Sequence, residues 1–291
     1  MKHDFSRRST QAELMDTEPL SSVAFHAYLC DLTVINICTL AYRPTLQWLR
    51  RTLIAGQPQQ PVSVIDIGSG GGDMLRRIWK WAGKRKINTD LVGVDLNPWS
   101  KQSAEKMTSG MPIRFETSDI FDFHPDRRAD FIISSLFAHH LTDDEVIRFI
   151  RWMDAHAVHG WFINDLHRHP LPYAFIKCFT RLFGFNRLVQ HDAPLSVARA
   201  FVMADWRRLL MAAGIPMERI RITWFFPFRY GIACQCTDTG SGPRVGVPAT
   251  FTDGQRSWLL PSGALGVALF QKPSARRLRI SGESMTATAS T

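Results

Sequence analysis

Hydrophobic and polar residues follow two different patterns along this chain, and the change between them comes near residue 60. From Leu20 to Leu53 the apolar residues recur at helical spacing, and Pro44 suits the first turn of a second helix. The residues before this stretch, up to about Pro19, are polar and are expected to be partly mobile. Residues 1–60 are therefore predicted to form an N-terminal helical cap.

After residue 60, short apolar runs alternate with amphipathic segments. VSVIDI and DLVGVDL are typical of buried strands, whereas DMLRRIWKWAG and TDDEVIRFIRWMDAH are typical of helices, the latter with Thr142 as its N-cap. Strands that alternate with helices predict an α/β fold, a parallel sheet with helices on both faces. Two final strands around Pro227 predict an antiparallel hairpin that closes the sheet.

Two segments depart from this alternation. Residues 170–190 mix aromatic with basic side chains and are predicted to form a helical insert. Residues 237–291 are rich in Gly, Ser, Thr and Pro, and this tail is expected to be largely disordered. The α/β domain itself is expected to span residues 61–236.

A glycine-rich turn follows the first strand, in VIDIGSGGGD at residues 64–73. A dinucleotide-binding turn has the pattern G-x-G-x-x-G and presents a helix N-terminus to a pyrophosphate. Asp73 stands where the third glycine of that pattern belongs, and its carboxylate would repel a phosphate. The pattern favours a ligand with an ammonium group and no phosphate, and a tight turn without any ligand is the alternative.

This turn resembles the first motif of the Rossmann-like (class I) S-adenosylmethionine-dependent methyltransferases, of the bacterial small-molecule type. The resemblance covers about residues 62–236, and it implies a seven-stranded, mostly parallel sheet with an antiparallel last strand. In that family the glycines approach the methionine part of the cofactor. An acid after the second strand holds the ribose, and an acid after the third lies near the adenine. The resemblance implies S-adenosyl-L-methionine as cofactor and the following cofactor-binding residues: Asp66, Gly68, Gly70, Gly72, Asp95, Leu96, Asp119, Ile120 and Ser135.

Each of these acidic residues has a plainer interpretation when it is taken alone. Asp95 would also suit the ribose of NAD, and Asp119 could be only a surface residue or a helix cap. Ribose hydroxyls and the adenine amine are both hydrogen-bond donors, which a carboxylate accepts. Because the acids follow consecutive strands in the order of the family, they favour methyl transfer over hydride transfer.

Candidate catalytic residues follow the fourth and fifth strands, because the site of an open α/β sheet lies at the carboxyl ends of its strands. SSLFAHHL provides His139 and His140, and NDLHRHP provides Asp165 and His167. Asp165 paired with His167, or with one of the earlier histidines, would make a general base that works near neutral pH. The alternative is that the histidines are structural or exposed and that Asp165 caps its loop.

The resemblance implies that the segment HDAPLSVARAF lies on the acceptor side, and that the insert of residues 170–190 and the N-terminal helices lie over the active site. His191 and Arg199 are candidates to contact the acceptor, although that segment could simply begin a helix. Phe175 and Phe179 recur at helical spacing and would make an apolar wall. They suggest an aromatic, polyketide-like or quinol acceptor. The same helix face could instead pack on the core or rest on a membrane surface.

Composition bears on the partners of the protein, on the state of its thiols and on metal binding. The formal net charge of the 291 residues is +9, but Lys and Arg are scattered among Asp and Glu, so no nucleic-acid partner is expected. The five cysteines form no C-x-x-C pair, which favours reduced, mostly buried thiols in a cytoplasmic protein. Cys234 and Cys236 should point to opposite faces of a strand, and the histidine pairs lack matching ligands, so no metal is expected.

The sequence therefore predicts a methyltransferase of secondary metabolism that acts on a hydroxyl of a small aromatic or polyketide-derived acceptor. C-methylation of a quinol-type lipid precursor would need the same base and stays open. A non-catalytic protein that keeps the cofactor fold is the alternative from a different class. Nucleic-acid amine methylation is disfavoured, because Ser134-Ser135-Leu136-Phe137 stands where such enzymes carry N-P-P-Y/F. The sequence does not indicate an oligomeric state.

Overall fold

This structure is a computed structural model that describes residues 4–53 and 61–236. Its strands are β1 (Val62–Ile67), β2 (Thr89–Asp95), β3 (Ile113–Thr117), β4 (Ala129–Ser135), β5 (Ala157–Leu166), β6 (Ile220–Phe225) and β7 (Arg229–Gln235). They form one sheet in the order β3-β2-β1-β4-β5-β7-β6. Strands β1 to β5 are parallel, and β7 is antiparallel to both of its neighbours. The predicted seven-stranded sheet with its closing hairpin is confirmed, and β7 lies between β5 and the edge strand β6.

The helices connect these strands and extend before them. They are α1 (Leu14–Thr17), α2 (Ser22–Cys38), α3 (Arg43–Leu53), α4 (Asp73–Gly83), α5 (Pro98–Met107), α6 (Asp143–His156), α7 (Pro170–Leu182), α8 (Arg187–Arg199) and α9 (Met203–Ala213). Thr142 caps α6 as predicted, because its hydroxyl accepts the N–H of Glu145 and the Glu145 carboxylate accepts the N–H of Thr142. A 3₁₀ turn at Ala138–His140 leads into this cap.

Apolar side chains cover both faces of the sheet. One face packs against α6 and α9, where Phe149, Ile150 and Leu209 are fully buried. The other face packs against α3 and α4 through Leu49 and Leu75. Each buried side chain of this kind stabilises the fold by about 1.5–3 kcal/mol. The two cores fix the carboxyl ends of the strands at one edge, where the candidate site lies.

A third core joins α2, α7 and α8. Its buried members include Phe25 on α2, Ile176 on α7, and Val189 and Val197 on α8. The segment HDAPLSVARAF does not begin a helix, since α8 starts earlier, where the side chain of Asn186 accepts the N–H of Val189 at 2.9 Å. Helices therefore do occupy most of the predicted insert.

The N-terminal segment, expected to be partly mobile, is held along much of its length. Asp192 on α8 is buried and accepts the N–H groups of Leu14 at 2.8 Å and Met15 at 3.0 Å. The N–H of Ser9 donates to the carbonyl of Ala198 at 3.0 Å. The expectation was wrong because the polar groups of this segment are satisfied by α8 instead of by water.

The cysteines correct two further expectations. The five thiols were expected to be mostly buried, but three of them, on α2 and α7, are exposed: Cys30, Cys38 and Cys178. Cys234 and Cys236 do not diverge, since their Sγ atoms lie 3.7 and 3.8 Å from the same oxygen, Oδ1 of Asp154. The alternation of side chains ends with β7 at Gln235, so Cys236 is free to turn towards Cys234.

The remaining features are the C-terminal tail and the length and apolarity of the helices. The disordered tail predicted for residues 237–291 lies outside the described residues. Among the described helices, no single one is long and apolar enough to cross a membrane. Helices α2 and α3 meet that criterion only as a pair, by length and composition, across a bend of 68°.

Candidate active site

A cavity of about 1300 Å³ opens at the carboxyl ends of β1, β2, β4 and β5. Helices α2 and α7 form part of its wall, together with the turn between β6 and β7. Pockets for one small ligand typically measure about 300–1,000 Å³. This cavity therefore has room for a cofactor and a second molecule side by side.

The glycine-rich turn forms one wall of the cavity by close approach of its backbone. Gly68 has a φ of +69°, and a Cβ at this position would lie 2.6 Å from the ring of Phe137. The N–H of Gly68 donates to the carbonyl of Val94 at 2.9 Å, which ties the turn to β2. Only glycine satisfies both the left-handed backbone and the lack of space.

Asp66 precedes this turn and is buried at the end of β1. Among the described residues, its Oδ1 atom has no hydrogen-bond partner. Burial, together with the nearby carboxylates of Asp95 and Asp73, raises the pKa of Asp66 well above its usual range. A buried acceptor without a donor is costly, so this oxygen suits a donor from a bound ligand.

Two further acids line the cavity at the ends of β2 and β3. Asp95 accepts the N–H of Gly70 at 2.8 Å and the N–H of Asn97 at 3.0 Å. Burial raises the pKa of Asp95, although these two N–H groups act in the opposite direction. Asp119 accepts the N–H of Phe121 at 2.9 Å. Both carboxylates retain acceptor capacity for ligand hydroxyl or amine groups.

The structure brings most of the predicted cofactor-binding residues together. Eight of the nine line this one cavity: Asp66, Gly68, Gly70, Asp95, Leu96, Asp119, Ile120 and Ser135. The ninth, Gly72, is not part of the lining; it is the N-cap of α4 in the left-handed conformation, with a φ of +71°. Its contribution is therefore to the turn itself.

Asp73, which the sequence places at the start of α4, binds the helical cap. It accepts the hydroxyl of Thr33 at 2.6 Å and that of Tyr42 at 2.7 Å, and it forms a salt bridge with Arg76. Burial and the Asp73 carboxylate both raise the pKa of Tyr42. The carboxylate thus fastens α2 and the segment before α3 to the glycine-rich turn.

The candidate base is a histidine held by an aspartate. His139 Nδ1 donates to Oδ1 of Asp165 at 2.7 Å, and the backbone N–H of His139 donates to Oδ2 at 2.9 Å. Burial would raise the pKa of Asp165, but the neighbouring His139 and the hydrogen bonds lower it, so the group remains a carboxylate. Nε2, the other nitrogen of the ring, makes no hydrogen bond to Asp165, and His139 lines the cavity.

Glu13 faces both histidines, and no sequence pattern marks it. Its side chain is about 1% exposed, and its two oxygens lie 3.8 Å from Nε2 of His139 and 3.9 Å from Nε2 of His140. The hydroxyl of Ser196 donates to it at 2.8 Å. The side chains of Glu13, His139 and His140 lie close enough to one another to surround a cation.

His140 has a carboxylate partner of its own. Its Nδ1 donates to Oδ2 of Asp16 at 3.1 Å. Burial acts to lower the pKa of His140, but the hydrogen bond to Asp16 and the charge of Glu13 outweigh burial and raise it. His140 is thus the histidine of the pair that favours the protonated state.

The other predicted catalytic and acceptor-side residues lie around the cavity in different ways. Asp165 lies behind His139, and Phe175 lines the cavity. His167 is outside the lining and accepts the indole N–H of Trp224 at 3.2 Å; burial and the nearby side chains of His169 and Arg168 lower its pKa. Phe179, also outside the lining, packs against the core that α2, α7 and α8 share.

His191 and Arg199, on α8, are likewise outside the cavity lining. His191 donates to Asp192 at 2.8 Å. The guanidinium of Arg199 donates to the carbonyls of His139 at 3.1 Å and His140 at 2.8 Å. Arg199 therefore positions the backbone of the two histidines and does not face the cavity, because these carbonyls occupy its N–H groups.

Comparisons with known proteins agree with this architecture. The family described as "Methyltransferase domain" matches residues 64–160. The plantazolicin methyltransferase BpumL, solved in complex with SAH, has a similar structure (TM-score 0.53, 16% identity, 73% of this chain and 85% of that chain). Human N-acetylserotonin methyltransferase, solved in complex with SAM, is also similar (TM-score 0.53, 17% identity, 75% and 57%). A search of curated proteins finds no match.

Proposed function

We propose that this chain is a class I, S-adenosylmethionine-dependent methyltransferase and that it methylates a hydroxyl group of a small aromatic or polyketide-derived acceptor. The observation that carries the proposal is the hydrogen bond between His139 and Asp165 beside a cavity with room for two molecules. An alcohol or phenol must lose its proton during methylation, and this pair provides the group that takes it.

The residues at the glycine-rich turn fit the cofactor. The unpartnered Oδ1 of Asp66 is a buried acceptor, and Asp95 and Asp119 are further acceptors at the ends of the next two strands. Carboxylates of this kind suit the ammonium, ribose hydroxyl and adenine amine groups of S-adenosylmethionine. Gly68 and Gly70 leave the backbone free to approach the methionine part.

When bound, S-adenosylmethionine would supply an electrophilic methyl group on a sulfonium, and S-adenosylhomocysteine would leave as the carbon–sulfur bond breaks. His139 would contribute the nitrogen that takes the acceptor's hydroxyl proton. Asp165 holds the ring in the tautomer that leaves Nε2 free, and its charge stabilises the imidazolium that forms. A positioned base of this type contributes about 10²–10⁴-fold in rate.

The helical cap supports this step by positioning the site. Glu13 reaches the histidines from the N-terminal segment, and Arg8 donates to the carbonyls of His139 and Leu141. Arg199 holds the same backbone from α8. Alignment of nucleophile and methyl group is itself a large part of catalysis, because misplacement by about 1 Å can cost 10²-fold.

A second acceptor class is favoured by the surface around the cavity mouth. Leu40, Leu171, Phe175 and Phe226 are exposed and line the cavity. Such a rim suits a lipid-soluble quinol precursor that is methylated on carbon, after the same base has ionised its ring hydroxyl. It also suits a peripheral contact with a membrane surface.

Transfer of a labelled methyl group tests the proposal. The enzyme is incubated with methyl-labelled S-adenosylmethionine and a panel of phenols and quinols, and the products are analysed by mass spectrometry and NMR. We expect O-methyl products; C-methyl products support the quinol alternative. Asp95→Ala should weaken cofactor binding about 10–100-fold, since charge-assisted hydrogen bonds contribute about 1.5–3 kcal/mol. Glu116→Ala, on the exposed face of β3, is the matched control. Cofactor binding without any transfer would favour the non-catalytic alternative.

A further inference from the structure

Arg229 is a buried cation that the proposed reaction does not use. It begins β7 and pairs with Leu166 at the carboxyl end of β5. Its side chain lines the cavity, although the residue is only 3% exposed. No motif in the sequence marks it, because it lies in a hairpin strand far along the chain from the histidines.

The guanidinium of Arg229 is largely unpaired. Its Nη2 atom donates to the hydroxyl of Thr39 at 2.9 Å. Among the described residues, its Nε and Nη1 atoms have no hydrogen-bond partner. Burial lowers the pKa of Arg229 to about 10, although the carboxylate of Asp165 acts in the opposite direction. The group is still a cation at neutral pH.

A second buried arginine shows how this protein satisfies such a charge. Arg168 donates to the carbonyls of Phe5 and Ala200 and forms a salt bridge with Asp205 at 3.0 Å. The carboxylate of Asp165, by contrast, is occupied by His139 and by the N–H of Leu166 at 2.7 Å. Arg229 therefore lacks the salt bridge and the carbonyl acceptors that Arg168 has.

Arg229 lies near the proposed base and far from the glycine-rich turn. In the sheet order, β7 neighbours β5, which carries Asp165, whereas β1 with its glycine-rich turn is three strands away. Adjacent strands lie about 4.7–4.9 Å apart, so about 14 Å separates β7 from β1. Arg229 thus lies on the side of the cavity where the base is held.

We propose that Arg229 binds an anionic group of the acceptor, so that the substrate is a hydroxy acid whose carboxylate pairs with the guanidinium. An unpaired buried charge is costly, and a carboxylate matches the fork of guanidinium N–H groups bidentately. The identity of the bound molecule as the methyl acceptor rests on the proposed function; the anion subsite does not. With the carboxylate at Arg229, one end of the acceptor is fixed while its hydroxyl is free to reach His139.

Binding of a matched pair of probes tests this proposal on the full chain saturated with S-adenosylhomocysteine. The probes are 4-hydroxybenzoate and its neutral analogue 4-hydroxybenzamide, and calorimetry gives each Kd. We expect the wild type to bind the acid at least tenfold more tightly than the amide, and Arg229→Met to lose this preference. Arg229→Lys should retain part of it, since a charge remains without the fork.

Further measurements distinguish an acceptor-binding role of Arg229 from a cofactor-binding role and from a structural role. The Kd of S-adenosylhomocysteine should be the same in wild type and Arg229→Met within about twofold; a tenfold loss would assign the guanidinium to the cofactor's carboxylate and overturn the proposal. Wild type that binds neither probe, or both equally, also overturns it.

Arg229→Met should keep or raise the Tm, because it removes an unpaired buried charge, whereas the control Arg168→Met should lower it. A lower Tm for Arg229→Met would mean a structural role instead. None of these readings requires methyl transfer, so they stand apart from a failure of the proposed reaction.

Discussion

His139 and Asp165 are joined at two points, because one carboxylate oxygen accepts the ring Nδ1–H at 2.7 Å and the other accepts the backbone N–H at 2.9 Å. The double contact fixes both the position of the residue and the orientation of its ring. It joins the loop after β4 to the end of β5, two neighbouring strands of the sheet. The position of the proposed base is therefore set by the fold and not by the mobility of a loop.

Replacement of His139 or Asp165 should slow methyl transfer without weakening cofactor binding. We expect His139→Gln and Asp165→Asn each to lower kcat by about 10²–10⁴-fold, because one lacks the base and the other lacks the group that orients it. Steady-state rates and the calorimetric Kd of S-adenosylhomocysteine are the measurements. His191→Gln, outside the cavity lining, is the matched control. A His139→Gln variant with wild-type kcat would exclude His139 as the base.

Two glycines, one in the glycine-rich turn and one at the end of α4, should respond to alanine in opposite ways. Gly68→Ala should destabilise the protein by about 1–3 kcal/mol and weaken cofactor binding, because φ is +69° and the new Cβ would lie 2.6 Å from Phe137. Gly83→Ala, at the end of α4 with no atom near its Cβ position, should stabilise it by up to about 1 kcal/mol. Urea unfolding measures both, and equal effects would contradict the tight turn.

The raised pKa of His140 makes part of the stability depend on pH. A histidine with a higher pKa in the folded state stabilises the fold fully below its unfolded pKa, about 6.5. That contribution is lost as the pH rises through the folded value. We expect the Tm difference between wild type and His140→Asn to be largest below about pH 6.5, on the order of 2–4 °C, and to shrink above it. A difference that grows with pH would contradict the Asp16 pairing.

The apolar surface near the cavity predicts binding to lipid. Ten of the fourteen exposed large hydrophobic residues in the described ranges lie on α2 and its end, on α7 with Phe183, and at the end of β6 with its turn. The α7 segment, residues 170–190, contains three basic residues and no acid. We expect the protein to float with phosphatidylcholine vesicles that contain phosphatidylglycerol, and less with phosphatidylcholine alone.

A double variant away from the cavity tests this surface. Val34→Asp with Leu182→Asp should lower the vesicle-bound fraction about tenfold, because each replaces an exposed apolar side chain with an anion. Met211→Asp on α9 is the matched control and should bind as the wild type does. Equal binding by all three proteins would show that these helices do not contact the lipid.

The fold and the cofactor side of the cavity could be predicted from the sequence because their signals are local. Alternating apolar runs predict the strands, and Asp66, Gly68 and Asp95 lie at strand ends that the pattern itself locates. The histidine pair and Asp165 could be named in the same way. Their partnership remained open, since only the order of β4 and β5 in the sheet brings them together.

The acceptor side depended on contacts between distant segments. Glu13 belongs to a polar segment without periodicity, and Arg229 belongs to a strand whose position beside β5 is a tertiary feature. Arg199 has the residue type of a substrate contact, but its N–H groups are used by backbone carbonyls. A sequence pattern does not reveal which donors the fold leaves unpaired.

A crystal structure of the protein with S-adenosylhomocysteine would show directly where the cofactor product binds. We expect the ribose hydroxyls to donate to Asp95 and the sulfur to face the part of the cavity that His139 lines. The result that would contradict it is a ligand whose ribose does not contact Asp95, or whose sulfur faces away from His139 towards another histidine such as His167.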